Sequence, residues 1–196
     1  MLPFSITIHS SSTMDRYNVL TLVALLSTAA ASNSCRSDDP TPLEQLPPAT
    51  QEGLNTLGCL VNGKAWLPDG SDGNHGSNFS VSYGSVTSPN GSGGSFDLRT
   101  YRYTRDTDQY MNISLNDLQV GVYPITDTVN TRVWLEDGKT GCYYESRRYT
   151  TYRAGNITIT KIDTRKGIIA GTFEFTLVVP GCDTLRVTDG RFDKGI

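Results

Sequence analysis

Hydrophobic and polar residues alternate along most of the second half of the chain. Segments 79–83, 111–115 and 173–177 place an apolar side chain at every second position, which is typical of strands with one buried and one solvent-facing side. Between Ile159 and Ile162 the alternation changes phase, which predicts a bulge or strand end near Lys161. The pattern predicts one all-β domain over 55–196, an antiparallel β-sandwich or partly closed β-barrel of about nine or ten strands.

The first 34 residues follow a different pattern. Polar residues after Met14 are followed by a mostly apolar run over 19–31, and then by the small residues that precede Cys35. Because the run is shorter than the roughly 20 residues that a helix needs to cross a bilayer, it is typical of an export signal. We predict a signal peptide over 1–34, with Met1 and Met14 both open as the true start.

The residues around Cys35 indicate how the signal is removed. The sequence Ser32-Asn33-Ser34-Cys35 resembles the lipobox of bacterial lipoproteins, in which small residues precede a cysteine whose sulfur accepts a diacylglycerol group. An ordinary cleavage after Ala31, which would release a soluble secreted protein, is the alternative. We predict lipidation of Cys35, and more than one acyl chain is sufficient for lasting membrane attachment.

The segment after Cys35 indicates a destination. Ser37, Asp38 and Asp39 resemble the short acidic signal that sends lipoproteins of Bacteroidota to the outer face of the outer membrane. Because proline lacks a backbone donor and restricts φ, the proline-rich segment 35–54 is expected to form a flexible, disordered tether. The resemblance implies a lipid-anchored protein of the outer membrane that faces the cell exterior.

A second resemblance concerns the folded domain. Residues 58–66, Gly-Cys-Leu-Val-Asn-Gly-Lys-Ala-Trp, and the strongly patterned segments between 156 and 193 are similar to a lipoprotein domain family of Bacteroidota whose function is unassigned. The resemblance covers nearly all of residues 55–194. It implies a fold, and it implies no catalytic residue.

Composition and charge argue against several function classes. The formal net charge of -3 provides no long-range attraction to nucleic acid, and no nucleic-acid motif is present. The cysteines have no zinc-ligand spacing, so we predict neither a metal nor a cofactor. His75 lies in a Gly/Ser/Asn loop, which holds a general base poorly, and we therefore predict a non-enzymatic domain.

Tyrosine and arginine are concentrated in two segments of the domain. These residue types are enriched at recognition surfaces because they combine large rigid area with directional donors. On neighbouring strands they would form a platform for a glycan or an envelope protein, whereas the alternative is that they are ordinary strand residues on a solvated face. The candidate platform consists of Arg99, Tyr101, Tyr103, Tyr143, Arg147 and Tyr149.

Two other functions stay open at this point. A small barrel with an interior cavity could carry an apolar ligand, as calycin-like proteins do. A carboxylate-based glycan hydrolase needs two acids at a suitable separation, and Glu136 with either Glu145 or Glu174 would meet that need.

The remaining cysteines predict one disulfide, because lipidation of Cys35 leaves three thiols in an oxidising compartment. If the last four strands formed a simple meander, Cys142 and Cys182 would lie too far apart for a bond. Cys59 is then the expected partner of either, and we favour Cys59 with Cys182.

Overall fold

A computed structural model of the chain describes residues 39–71, 76–84 and 94–196. The predicted signal peptide over 1–34 lies outside the described residues, as do Cys35, Ser37, Asp38 and His75. Asp39 is exposed at the beginning of the first described range. The chain from Pro40 to Ile196 forms one compact unit.

The described residues form eleven strands and no helix. The prediction of an all-β domain is confirmed. The additional strands relative to the expected nine or ten are short ones, such as β6 and β8, which contain too few residues for a period of two to be visible. The strands are β1 (Thr56–Val61), β2 (Lys64–Trp66), β3 (Phe79–Gly84), β4 (Gly94–Tyr103), β5 (Asp108–Leu118), β6 (Gly121–Pro124), β7 (Thr131–Asp137), β8 (Cys142–Glu145), β9 (Tyr152–Asp163), β10 (Ile168–Val178) and β11 (Leu185–Gly195).

The strands are divided between two antiparallel sheets. The six-stranded sheet has the order β2-β1-β11-β10-β9-β6, and the five-stranded sheet has the order β3-β4-β5-β7-β8. The sheets are not closed into a barrel, so the sandwich alternative is the correct one. In β9, Lys161 pairs with Ala170 while Ile159 pairs with Gly171, which confirms the bulge predicted next to Lys161.

The core lies between the two sheets and follows from the alternation in the sequence. Leu98, Ile113 and Leu135 point inward from the five-stranded sheet, and Ile157 and Phe175 point inward from the six-stranded sheet; all five are at most 2% exposed. These side chains belong to one continuous hydrophobic cluster. The space between the sheets is therefore filled with packed side chains.

Residues 46–54 are packed against the sandwich, which corrects the prediction of a flexible tether through residue 54. Leu46 is only 7% exposed, and the ring of Pro47 covers Gly58 of β1. Arg191 of β11 donates from Nε to the carbonyl oxygen of Pro47 at 2.7 Å. The prolines that exclude helix and central strand are compatible with this extended, docked path.

Asp193 of β11 holds the end of this segment. Its carboxylate accepts hydrogen bonds from the Thr50 hydroxyl and from the backbone N–H groups of Glu52, Gly53 and Leu54, at 2.7 to 3.3 Å. Asp193 alternates with the inward-facing Phe192, so it projects from the outer face of the six-stranded sheet. The segment 46–54 therefore lies on that outer face, and the folded unit begins well before residue 55.

The disulfide joins Cys142 to Cys182 across a Cα–Cα distance of 6.0 Å, so the predicted pairing of Cys59 with Cys182 is wrong. The chain passes from the five-stranded sheet to the six-stranded sheet between β8 and β9, and the last four strands are not one meander. This passage brings β8 close to the turn between β10 and β11. Cys59 faces the core and is free, and burial raises the pKa of its thiol.

Candidate functional site

The outer face of the five-stranded sheet carries four of the eight exposed or half-buried aromatic rings among the described residues, namely Tyr103, Tyr110, Trp134 and Tyr143. Because inward positions such as Leu98, Ile113 and Val133 are apolar and buried, every second residue of β4, β5, β7 and β8 points away from the core. The strand register aligns these outward positions in rows across the sheet. We call this surface the aromatic face; its members are Asp97, Arg99, Tyr101, Tyr103, Tyr110, Asn112, Ser114, Arg132, Trp134, Glu136, Tyr143 and Glu145.

Three rings form a row across β5, β7 and β8. The rings of Tyr110 and Trp134 stack with their centroids 4.8 Å apart and an interplanar angle of 11°. Trp134 also contacts Tyr143 at a centroid distance of 5.8 Å. In each of these two contacts the rings are diagonal neighbours on adjacent strands, where long aromatic side chains reach one another. Stacking restricts the rotamers of each ring, so the row is a rigid surface.

An ion pair fixes Arg99 at one end of the row. Its Nε donates to Asp97 Oδ1 at 2.5 Å. The other oxygen of Asp97 accepts from Asn112 Nδ2 and from Ser114 Oγ. The hydrogen bond to Asp97 raises the pKa of Arg99, and the two charges largely neutralise each other.

A cleft of about 490 Å³ opens beside the ring row. We call it the aromatic cleft. The carboxylates of Asp108 and Glu136 are both exposed, and within the described residues neither has a hydrogen-bonded or ion-paired partner. Gly138 leaves room for Asp108, since a Cβ at this position would lie 2.4 Å from Asp108 Oδ2. The residues that line the cleft are Arg99, Tyr103, Asp108, Tyr110, Trp134, Glu136 and Gly138.

The carboxylates of Asp108 and Glu136 both raise the pKa of the same tyrosine, Tyr103. Burial raises the pKa of Tyr103, and the negative charges of Asp108 and Glu136 raise it further. Burial also raises the pKa of Tyr110, although Arg99 opposes that shift. Both phenols therefore stay neutral at physiological pH, and the cleft combines neutral rings with a negative potential.

The structure brings four of the six predicted platform residues onto one face. Arg99 and Tyr103 line the aromatic cleft, and Tyr143 ends the ring row. Tyr101 stacks on Tyr103 at 4.8 Å, but it is only 2% exposed, and its hydroxyl donates to the carbonyl oxygen of Gly76. Tyr101 therefore supports the face and offers little surface to a ligand.

The other two predicted residues lie apart from the ring row. Arg147 and Tyr149 belong to the turn that follows β8. Arg147 donates from Nη2 to the carbonyl oxygen of Val129. Tyr149 is 71% exposed and has a positive φ of 61°. Both residues follow the end of a short strand, which periodicity does not reveal.

The predicted platform does not include Trp134, although the sequence pattern contains a signal for its role. It stands between the buried Val133 and Leu135, at a position where the alternation predicts a polar side chain. A tryptophan on the solvated side of a strand indicates a contact outside the core. Tyr110 has the same position relative to Met111.

The carboxylates considered for hydrolysis do not form a free pair. Glu145 is buried, and it accepts from Arg132 Nε at 3.1 Å and from the backbone N–H of Arg147. Glu174 is exposed on the outer face of the six-stranded sheet, on the opposite side of the sandwich from Glu136. Glu136 and Glu174 therefore cannot act on one bond.

The described residues contain neither a candidate metal site nor a candidate membrane-spanning helix. Over 39–71, 76–84 and 94–196, no group of three or more His, Cys, Asp or Glu side chains could hold a metal ion. The same ranges contain no helix that is long and apolar enough to span a membrane.

Comparison with known proteins gives one match. A family model described as "Domain of unknown function (DUF6252)" matches residues 94–195, just over half of the chain. The match runs from β4 to β11 and includes the aromatic face, and it confirms the expectation of a C-terminal domain of unassigned function. No curated protein and no solved structure matches the chain.

Proposed function

The chain belongs to the DUF6252 family, and we propose that it is a lipid-anchored, surface-displayed module that binds a glycan or an envelope protein through its aromatic face. The observation that carries the proposal is the ring row of Tyr110, Trp134 and Tyr143 beside an open cleft. Half-buried, mutually stacked rings on the solvated side of a sheet contribute little to the core. They are typical of recognition surfaces, where rigid aromatic area is available at low entropic cost.

The path of the chain before β1 supports display of this face. Residues 46–54 lie on the outer face of the six-stranded sheet, where Asp193 and Arg191 hold them. The aromatic face is the outer face of the other sheet. The docked segment 46–54 therefore leaves the ring row uncovered, which supports its availability to a partner.

The proposed anchor and address rest on the sequence. The apolar run before Cys35, the small residues next to it and the acidic Ser37-Asp38-Asp39 together resemble a lipoprotein signal of the outer-membrane type found in Bacteroidota. With lipid on Cys35, the proposed location is the outer membrane, where the domain faces the cell exterior.

Two observations favour binding over the other functions. Glu145 is engaged by Arg132 and Arg147, and Glu136 and Glu174 lie on opposite faces, which argues against a hydrolase built on these acids. Core side chains fill the space between two open sheets, which argues against a calycin-like carrier of an apolar ligand.

The anchor is tested by intact-mass analysis of the mature protein together with surface proteolysis of whole cells. We expect acyl mass on residue 35 and cleavage of the domain by external protease. A mature protein without acyl mass contradicts the anchor. A domain that protease reaches only after lysis contradicts surface display.

Binding is tested with the full chain in detergent against two probes, purified envelope polysaccharide and detergent-solubilised envelope protein. Replacing Tyr110, Trp134 and Tyr143 by serine should abolish saturable binding to the probe that is recognised. The matched control replaces exposed residues of the opposite sheet face, Val122→Ser with Thr172→Ala, and should bind as the unmodified chain does. If the serine variant and the control variant bind the probe equally well, the aromatic face is excluded as the binding site.

A further inference from the structure

The aromatic cleft has walls of rings and an excess of negative charge. Tyr103 of β4 lines one part of it, and the stacked pair of Tyr110 and Trp134 lines another. Asp108 and Glu136 complete the lining with two exposed carboxylates, and neither carboxylate is hydrogen-bonded or ion-paired to another described residue. Both kinds of group attract a cation: a carboxylate through its negative charge, and a ring face through the negative potential of its quadrupole.

Arg99 does not cancel this negative charge. It also lines the cleft, but its guanidinium is paired with Asp97 at 2.5 Å, and Asp97 is held in turn by Asn112 and Ser114. The pair of Arg99 and Asp97 is therefore close to neutral as a unit. Lys139 follows Gly138 in the chain, but it lines a separate depression with Trp66 and Gln109.

We propose that the aromatic cleft binds an arginine side chain of a protein partner, with its guanidinium against the rings and its N–H groups donating to Asp108 and Glu136. This inference rests on the proposed function and narrows the partner to a protein with an exposed arginine. It assigns recognition to β4, β5 and β7, inside the part of the chain that matches the family.

The shape of the cleft favours guanidinium over a simple ammonium ion. A guanidinium is planar, it stacks on aromatic faces, and its donors point in fixed directions that can serve two carboxylates at once. Tyr110 and Trp134 stack within 11° of parallel, so each covers one face of the other, and an outer ring face of the stack is a flat surface of the kind that a planar cation covers. The volume of about 490 Å³ accommodates an entire arginine side chain together with the backbone that presents it.

The test titrates the full chain in detergent with three capped tripeptides that differ only in the central residue: Gly-Arg-Gly, Gly-Lys-Gly and Gly-citrulline-Gly. Citrulline keeps the planar shape of arginine but has no charge. Binding is followed by tryptophan fluorescence, because Trp134 lines the cleft and Trp66 is only 3% exposed, and by calorimetry as an independent measurement. We expect saturable binding of the arginine peptide, weaker binding of the lysine peptide, and a loss of roughly tenfold or more with citrulline.

The variant Asp108→Asn with Glu136→Gln removes two exposed charges from the cleft without altering the core. We expect it to weaken arginine binding by roughly tenfold or more, and to reduce the dependence of binding on salt. The matched control, Glu174→Gln with Asp189→Asn, removes two exposed charges from the outer face of the other sheet. It should bind the arginine peptide as the unmodified chain does, which excludes an effect of net charge.

The inference is overturned if the arginine peptide shows no saturable binding up to tens of millimolar. Equal binding of the citrulline peptide, or an equal loss in the control variant, overturns it as well. Its failure is distinguishable from failure of the proposed function: if envelope polysaccharide still binds and the serine variant of the ring row abolishes that binding, the aromatic face is a recognition site for glycan and not for arginine.

Discussion

The indole Nε1–H of Trp66 donates to Oε1 of Gln109 at 2.8 Å, and this hydrogen bond joins β2 of one sheet to β5 of the other. Trp66 is 3% exposed, so its N–H has little access to water. Gln109 also donates from Nε2 to Asp137 Oδ2 at 2.8 Å. One glutamine therefore satisfies a buried donor and connects both sheets.

Replacing Gln109 by leucine should lower the free energy of unfolding by about 1–3 kcal/mol, because it leaves the buried indole donor without an acceptor. Urea unfolding followed by circular dichroism measures the change. Gln119→Leu is the control, since Gln119 is exposed and, among the described residues, only its backbone groups form hydrogen bonds. An unchanged midpoint for the Gln109 variant would contradict the role of this contact.

Protonation of Asp193 should release the segment 46–54 at low pH. Burial alone would raise the pKa of Asp193, but the four hydrogen bonds from Thr50, Glu52, Gly53 and Leu54 outweigh it and lower the pKa. A lowered pKa means that the stabilisation is complete above the unfolded-state pKa of about 3.9 and is lost as pH falls through the folded-state value. Limited proteolysis within 46–54 should therefore accelerate in that acidic window.

Asp193→Asn is the matched variant for this prediction. An amide keeps the size of the side chain but replaces one acceptor oxygen by a donor, so it should cost about 1–3 kcal/mol at pH 7. The difference in stability between the variant and the unmodified chain should shrink as pH falls below about 4. A difference that stays constant across this range would contradict the role of the carboxylate.

Loss of the Cys142–Cys182 disulfide should destabilise the sandwich. The bond closes a loop across a sequence separation of 40, for which the chain-entropy relation gives about 4 kcal/mol. We expect the double variant Cys142→Ser with Cys182→Ser to unfold at a lower urea concentration, and reductant to shift the unmodified chain to the same midpoint. If reductant shifts the double variant equally, the effect does not come from this bond.

A side chain at Gly190 should disturb the contact between β10 and β11. Gly190 pairs with Phe173, and a Cβ at Gly190 would lie 2.4 Å from Cδ2 of that ring. Because the ring is buried in the core and cannot move freely, Gly190→Ala should cost about 1–3 kcal/mol. Gly121→Ala is the control, since no atom of the described residues lies within 4 Å of its Cβ position. Similar thermal midpoints for the two variants would contradict the prediction.

Much of the sandwich could be predicted from the sequence because one side of each long strand is buried. The inward residues of β5 and β10 are apolar at every second position, and the bulge at Lys161 is visible as a change of phase. Short strands such as β8 leave no such signal, since they contain too few residues to show a period. The docked segment 46–54 is likewise invisible to periodicity, because side chains of β1 and β11 hold it and no pattern of its own does so.

The sequence by itself determined the strand character of the domain, and it indicated Tyr and Arg as the residues of a recognition surface. Tertiary structure decided which of them meet. The strand register placed Trp134 between Tyr110 and Tyr143, and the passage of the chain between sheets after β8 brought Cys142 to Cys182. Both outcomes depend on pairing between residues far apart in the chain, and alternation within one strand contains no information about its neighbours.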